Sequence, residues 1–373
     1  MRMSTLVQMG GERVVQEMRE KVYLATGVDM TQPQAIGVVL TERCNYRCLS
    51  CACWRRPDYP EELSLEQWTA ALSSLRDFIG NYTVDFGGGE PFVFKPFLSL
   101  VDWCHAAGLR WTLTTNGSSL SGKTARRVAE AHPLAINISV DGATPAVHDR
   151  SRGVNGSLAT ISRGIATLRA ARDRAGASFP IRIKPTVHRL NFREMPALVR
   201  WAQEVGASSV DFSPVSHWTP EVATELWLRP ADEEALDDIV RTLLAMKRAG
   251  APIETENARM LAWAAHFRGE AAATSAFRHC RVGLRDYCIL PNGDVRSCWF
   301  YPVLGNVTKA SAREIWRGPS AQALRREMTH CPSYGDPKCA TSCLAHRSVA
   351  QDARRAMLVF RPRLAPAAVS PST

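Results

Sequence analysis

An α/β fold on a parallel sheet is predicted by two patterns in this chain. Short apolar runs alternate with longer segments of helical periodicity, and six such units succeed one another. The chemically capable residues fall just after the apolar runs, where parallel strands end and where an α/β barrel gathers its functional groups. Right-handed crossovers wind such units into a barrel or part of one. A doubly wound open sheet fits the periodicity about as well, so pattern alone leaves the closure open.

The elements are expected in this order. Residues 1–34 form a polar leader with a helix over Gly11 to Leu24. Strands are expected at Ala35 to Leu40, Tyr82 to Phe86, Arg110 to Thr115, Ala135 to Val140, Ile181 to Val187 and Ser208 to Ser213, each rich in β-branched or aromatic residues. Helical periodicity lies at Ser64 to Phe78, Pro96 to Ala107, Gly122 to Ala131, Ser157 to Ala175, Glu194 to Val205 and Ala231 to Lys247. The barrel units occupy 35–230, a helical connection 231–279 and a cysteine-rich region 280–350. The tail, 351–373, is rich in Ala, Pro and Ser and is expected to fray.

With 373 residues, 45% hydrophobic and 22% charged, the chain can bury a large core and is not a disordered polymer. No apolar run approaches the roughly 18 to 20 residues that span a bilayer, which argues against a membrane-embedded protein. The formal charge of +10 comes mainly from arginines scattered through Arg163 to Arg174, Arg278 to Arg285 and Arg313 to Arg326. They form no basic stripe interleaved with aromatics, which argues against nucleic acid as a partner. The first ten residues carry no apolar signal core, and free thiols persist in the cytosol, so a cytoplasmic location is expected.

Cys44, Cys48 and Cys51 are the most informative residues. Three thiolates in one loop can hold a metal cluster while leaving one metal site open, whereas closed structural sites take four protein ligands. Cys53 supplies a possible fourth, so a zinc site on Cys44, Cys48, Cys51 and Cys53 is the alternative. Each of the next three expected strands ends in a turn: Gly87-Gly-Gly-Glu-Pro91, Thr114-Thr-Asn-Gly117 and Ile138-Ser-Val-Asp-Gly142. Glycine there lets backbone approach a ligand, and Asn and Asp tolerate left-handed conformations.

The cysteine spacing and the order of these turns resemble the radical S-adenosylmethionine (radical SAM) superfamily, whose fold is a partial barrel of six βα units. The resemblance implies a 4Fe-4S cluster on Cys44, Cys48 and Cys51, with SAM chelating the open iron. It implies that Gly88, Gly89, Glu90 and Pro91 face the methionyl amino group and that Asn116, Ser139 and Asp141 line the pocket near the ribose. Within His148-Asp-Arg-Ser-Arg-Gly153, Arg152 is implied to meet the SAM carboxylate, a task suited to a guanidinium fork. The cluster would reductively cleave SAM to a 5′-deoxyadenosyl radical that takes a hydrogen atom from the substrate. Such an enzyme needs an electron donor such as flavodoxin or ferredoxin. Ser50 departs from the aromatic residue common before the third cysteine, leaving Trp54 or Tyr46 as the aromatic face or as core packing.

Six further cysteines crowd the last quarter: Cys280, Cys288, Cys298, Cys331, Cys339 and Cys343. Asn292-Gly293 is a hairpin signal that would bring Cys288 and Cys298 close. With Gly305-Asn306-Val307 and a helix at Glu314 to Trp316, this set resembles the SPASM and twitch extensions, which carry auxiliary iron–sulfur clusters. The set is shorter than a full SPASM set, so the resemblance implies one auxiliary 4Fe-4S cluster. Its expected ligands are Cys280, Cys298 and Cys343 with Cys288 or Cys339, and Cys331 is a further candidate. A zinc site on four of the six is the alternative. Cys104 is expected to be a buried small hydrophobe.

A fully ligated auxiliary cluster suits acceptance of an electron from a substrate radical, and hence oxidation, epimerisation or bond formation. A small biosynthetic intermediate is the expected substrate. About forty residues precede Cys44, few for a peptide-recognition domain, and Trp299 comes after Cys298 where sulfatase-maturing relatives carry an aspartate. A ribosomally made peptide is the runner-up, and a zinc-stabilised binding module the remote alternative. Lys184 and His217 are the first candidates for substrate chemistry, because they lie near expected strand ends.

Overall fold

The computed structural model describes residues 3–217, 219–270, 279–334 and 339, with side chains from residue 10 onward. Helix α1 (Met3–Thr26) precedes β1 (Ala35–Thr41), α2 (Leu65–Ile79), β2 (Thr83–Gly88), α3 (Phe97–Ala106), β3 (Arg110–Thr115), α4 (Gly122–Glu130) and β4 (Ala135–Ile138). Two helices, α5 (Pro145–Arg152) and α6 (Ser157–Arg174), lead to β5 (Ile181–Ile183) and β6 (Thr186–Val187). Then come α7 (Met195–Glu204), β7 (Ser209–Val210), β8 (Ser213–Pro214), α8 (Glu233–Arg248), α9 (Asn257–Leu261) and α10 (Trp263–Phe267). The C-terminal part holds α11 (Val282–Arg285), β9 (Asp286–Ile289), β10 (Asp294–Arg296), β11 (Gly305–Asn306), α12 (Ala312–Arg317) and α13 (Pro319–Met328).

Strand order decides between the two architectures that the sequence leaves open. The main sheet runs β11-β10-β9-β1-β2-β3-β4-β5-β7, and the pairs from β1 through β7 are all parallel and in sequence order. A doubly wound sheet reverses its strand order at a switch point, and this one does not. With crossovers of one hand, α2, α3, α4, α6 and α7 fall on one face, as in a barrel wall. The sheet does not close on itself among the described residues: β11 lies at one end, and at the other the outer edge of β7 is joined only by a single bridge from Val210 to Ile253, so the barrel is partial.

The strands alternate accordingly. Ile36, Val38, Leu40, Val84, Phe86, Leu113, Ile136 and Ile181 point into the helix-covered core and are essentially inaccessible. The opposite, concave face is polar: Asp85, Thr114 and Asn137 sit there, with Ser139, Arg182 and Lys184 beyond them. Helix α2 begins where Ser64 and Gln67 form a reciprocal capping box.

Two expected strands are each split. Pro185, which has no backbone donor, interrupts β5 and β6, while the Phe212 amide donates to Thr255 Oγ1 between β7 and β8. The pieces β6 and β8 pair with each other as a separate two-stranded sheet. The leader helix is longer than expected, and periodicity alone does not reveal α5.

The C-terminal chain returns to the far side of β1. Strand β9 pairs parallel to it, with Ala35 opposite Asp286 and Gly37 opposite Cys288. The hairpin predicted at Asn292-Gly293 then reverses the chain into β10, with Gly293 at φ +85°. Helix α1 is locked beneath this region: buried Glu20 accepts from Arg285 Nε at 2.6 Å, Arg285 Nη2 at 2.8 Å and Arg281 Nη1 at 2.8 Å. Among the described residues no helix is long and apolar enough to cross a membrane.

Replacing Glu20 by Gln leaves the Arg285 guanidinium buried without its counter-charge, a change that costs about 3–5 kcal/mol. Chemical denaturation of the variant should show that loss, and a shift under about 1 kcal/mol would mean that α1 does not depend on the pair.

Candidate active site

The chain leaves β1 at Thr41 and enters the cysteine loop, which backbone contacts grip from two sides. On one side, the Gly89 and Glu90 amides donate to Thr41 O at 2.7 Å and Arg43 O at 3.0 Å. A Cβ on Gly89 would collide with the Arg43 carbonyl, and Gly88 holds φ +108° with Thr41 O 2.6 Å from any added Cβ. Glycine is therefore required by the approach of two backbones. On the other side, Arg47 N and Leu49 N donate to Arg152 O and Ser151 O at the end of α5. Gly153, at φ +68°, ends that helix against Arg47 O.

The turns carry their side chains as struts. Glu90 is fully buried; its carboxylate accepts from Thr115 Oγ1 and Asn116 N, each at 2.8 Å, and so ties β2 to the end of β3. Burial pushes its pKa up to about 7, against the hydrogen bonds from Asn116, Thr115 and Phe92. Asn116 Nδ2 donates to Asn45 Oδ1 at 2.8 Å, linking β3 to the residue beside Cys44. Ser139 N donates to Thr115 O, and its side chain is half-buried on the concave side.

Asp141 and Arg152, expected separately as ligand contacts, are paired with each other. Arg152 Nε and Nη2 reach the two Asp141 oxygens at 2.8 and 2.9 Å, and Thr186 N adds a bond at 2.9 Å. Burial works most strongly against the Asp141 charge, but the Arg152 guanidinium together with His188, the Thr186 amide and His148 outweighs it and holds the carboxyl below its ordinary pKa. Ser151 Oγ donates to Asp141 Oδ2 at 2.8 Å and lies 2.9 Å from His188 Nε2. Leu190 N donates to His188 Nδ1, so the ring proton sits on Nε2 and points at Ser151. Burial drops His188 and His148 to about 4, leaving both neutral.

Arg152 also brings Nη1 to 3.8 Å from Cys48 Sγ. Cys44 Sγ accepts from Tyr46 N at 3.4 Å. Hydrogen bonding from Cys53 draws Cys51 down to about 6 despite burial, with Arg152 and Arg55 assisting. Burial lifts Cys48 to about 11 and raises Cys44. Three thiols in a loop that supplies amide and guanidinium donors to sulfur fit an iron–sulfur cluster, whose ligands are thiolates. Trp54 and Tyr46 serve this loop: Trp54 Nε1 donates to Cys48 O at 2.9 Å, the guanidinium groups of Arg47 and Arg55 lie 5.5 and 4.5 Å from its ring centroid, and Tyr46 is buried.

The second cysteine group gathers differently from the expected set. Cys280 and Cys339 are buried together, Cys298 and Cys331 pack against them, and the other three thiols all bear electrostatically on Cys298. Thiols are the donors that an iron–sulfur cluster takes, and these four share one packed group. Cys288 is not among them; it stands on β9 across from Gly37, because the register of β9 on β1 fixes it in the sheet. Cys331 joins this group, and Cys343 lies outside the described residues. Cys104 is fully buried, as expected.

Lys184 and His217 are not brought together. Lys184 Nζ pairs with Asp211 Oδ2 at 2.6 Å on the concave face, whereas His217 stacks on Trp227 at 3.8 Å between centroids. Sequence reasoning missed the Ser151–His188 pair and Asp149, which caps α6 through Ser157 and Leu158.

Family comparison accounts for this arrangement. The family model described as the radical SAM superfamily matches residues 38–184, and that of an iron–sulfur cluster-binding domain, SPASM, matches residues 280–344. The chain belongs to the radical SAM superfamily. This radical SAM enzyme uses SAM and a 4Fe-4S cluster, and its SPASM region carries auxiliary iron–sulfur chemistry. It is 26% identical over 319 residues to an AdoMet-dependent heme synthase of Methanosarcina barkeri, covering 79% of this chain and 84% of that protein. It is 29% identical over 321 residues to the mycofactocin maturase MftC of Mycobacterium ulcerans, covering 82% and 81%. The fold matches Streptococcus suis SuiB bound to S-adenosylmethionine with a TM-score of 0.65 at 16% identity, over 89% of this chain and 79% of SuiB.

Because the folded protein holds the Glu90 proton more tightly than the ordinary value of 4.5 allows, Glu90 contributes stability that is full below about 4.5 and lost as pH rises through about 7. Glu90→Gln should flatten the stability profile across that interval. An unchanged slope in urea titrations at several pH values would refute the assignment.

Proposed function

We propose that this radical SAM enzyme oxidises or rearranges a polar biosynthetic intermediate held on the concave face of the sheet, between two iron–sulfur centres. The observation that carries this reading is the position of the two cysteine groups at opposite ends of β1. The loop with Cys44, Cys48 and Cys51 leaves its C-terminal end, whereas Cys298 lines a cavity with Ala35 at its start. Seven residues at about 3.3 Å each separate them by roughly 20 Å. The polar face of Asp85, Thr114, Asn137 and Lys184 lies along that interval.

In this reading Cys44, Cys48 and Cys51 hold the catalytic cluster, and Cys280, Cys298, Cys331 and Cys339 hold one auxiliary cluster. The backbone of Gly88 to Pro91, with Asn116 and Ser139, forms the SAM edge. Glu90 acts through that backbone by bracing it. Arg152, oriented by Asp141, is set beside Cys48 to meet a carboxylate. When bound, SAM and the reduced cluster supply a radical able to take hydrogen from carbon. A one-electron donor protein such as flavodoxin or ferredoxin supplies the reductant. The chain's own task is to hold the reactants in register and keep water from them. Residues 35–230 are assigned to the barrel and 280–350 to the auxiliary domain.

A small-molecule substrate is favoured, in line with the heme synthase relative. Peptide maturation is the second reading, supported by the likeness to MftC over 82% of the chain. Lys184, paired with Asp211, is the substrate-facing group, and His217 is structural through its stack on Trp227.

Anaerobic reconstitution should give about eight irons per chain, and reduction with SAM should release 5′-deoxyadenosine. Cys48→Ala should abolish that release, while zinc with about four irons would remove the auxiliary cluster. Lys184→Met should lose product at least tenfold while retaining SAM cleavage in assays with mass-matched candidate substrates; unchanged turnover would make Lys184 structural.

A further inference from the structure

A dent interrupts the concave face where β9, β1 and β2 meet. In the row formed by Cys288, Gly37 and Asp85, the middle position has no side chain, and a Cβ built there would lie 3.4 Å from Cys288 Sγ. Ala35, the next concave position on β1, is also small and lies opposite Asp286. A cavity of ≈ 210 Å³ opens over these residues. Exposed Asp85, buried Asp286, Cys298 and Trp299, a residue 44% exposed, are among its lining.

The charges lining the cavity favour a cation. Its charged residues are Asp85, Asp286 and Arg296. Arg296 turns part of its guanidinium to the chain, donating from Nη1 to Tyr301 O at 2.7 Å. The Asp85 carboxylate accepts from Thr112 on the neighbouring strand, which holds it upright on the face, and the residue remains exposed. Carboxylates beside an indole attract a protonated amine by charge and by cation–π contact.

We propose that this cavity receives the amine-bearing end of the substrate, with Asp85 and Asp286 as its anionic wall and Trp299 as its aromatic face. The proposal rests on the reading that the concave face holds substrate, and it names the substrate class as one carrying a protonated amine beside an apolar or planar group. Asp85 and Trp299 are then specificity-determining residues, and Cys288 is a bystander thiol in the cavity wall.

Cys288 provides a probe inside the site that needs no turnover. In reconstituted holoenzyme, its labelling by the cationic reagent aminoethyl methanethiosulfonate and by the anionic sulfonatoethyl reagent is monitored by peptide mass mapping. Each rate is normalised to that of free cysteine. The expected ratio favours the cation by about tenfold, as in clefts that concentrate counter-ions. Asp85→Asn should bring it down at least threefold, and n-butylammonium at fixed ionic strength should slow labelling where n-butanol does not. A ratio near one, an unchanged ratio in Asp85→Asn with its clusters intact, or a Cys288 that neither reagent reaches would each overturn the proposal. Release of 5′-deoxyadenosine, measured on the same sample, tests the enzyme reading separately.

Discussion

Strand β1 must find hydrogen-bond partners along both edges, and its choice of neighbours positions both cysteine groups. One edge takes β2 and the other takes β9, both parallel to it. An interior strand of this kind cannot shift register without turning buried Ile36, Val38 and Leu40 onto the concave face. The cysteine loop at its end therefore starts from a fixed point. Since β9 arrives from the far end of the sequence, the same constraint seats the auxiliary cysteines against the barrel's opposite end.

The loop itself has little regular structure, so its position depends on borrowed bonds. Gly89 and Glu90 hold its first residues, and Ser151 and Arg152 hold its middle. Both anchors lead back to buried carboxylates. Glu90 joins the ends of β2 and β3, and Asp141 fixes Arg152, Ser151 and the start of β6. A buried ion pair is an expensive way to gain stability, since both groups lose their water. Here the Asp141–Arg152 pair yields orientation: a rigid guanidinium next to Cys48 and a carbonyl aimed at the cysteine loop.

Much of this architecture is legible in the sequence. Strand β3, Arg110 to Thr115, can be placed to the residue, because an apolar run between a helix and an Asn-Gly turn leaves little freedom. The six parallel units and the Asn292-Gly293 hairpin likewise come from local patterns. Helix α5 is hidden because Pro145 to Arg152 is polar and short, and what holds it is the distant cysteine loop. The pairing of Asp141 with Arg152 is also hidden: each carries a group suited to a ligand, and only three-dimensional proximity shows that they meet. The place of Cys288 on β9, opposite Gly37, is hidden for a related reason. Spacing counts thiols, but strand register decides which way they point.

The polarity of the concave face can be argued one step further. A closed barrel fills its interior with layers of branched apolar side chains. This sheet instead exposes Asp85, Thr114 and Asn137 inward, and joins Arg182 to Glu254 at 3.1 Å and Lys184 to Asp211 at 2.6 Å along the same side. Buried Asp211 and Glu254 keep their charge through these ion pairs, whereas Asp85 and Thr114 stand exposed to water. The sheet does not close on itself, so the incompleteness of the barrel and the polarity of its lining go together.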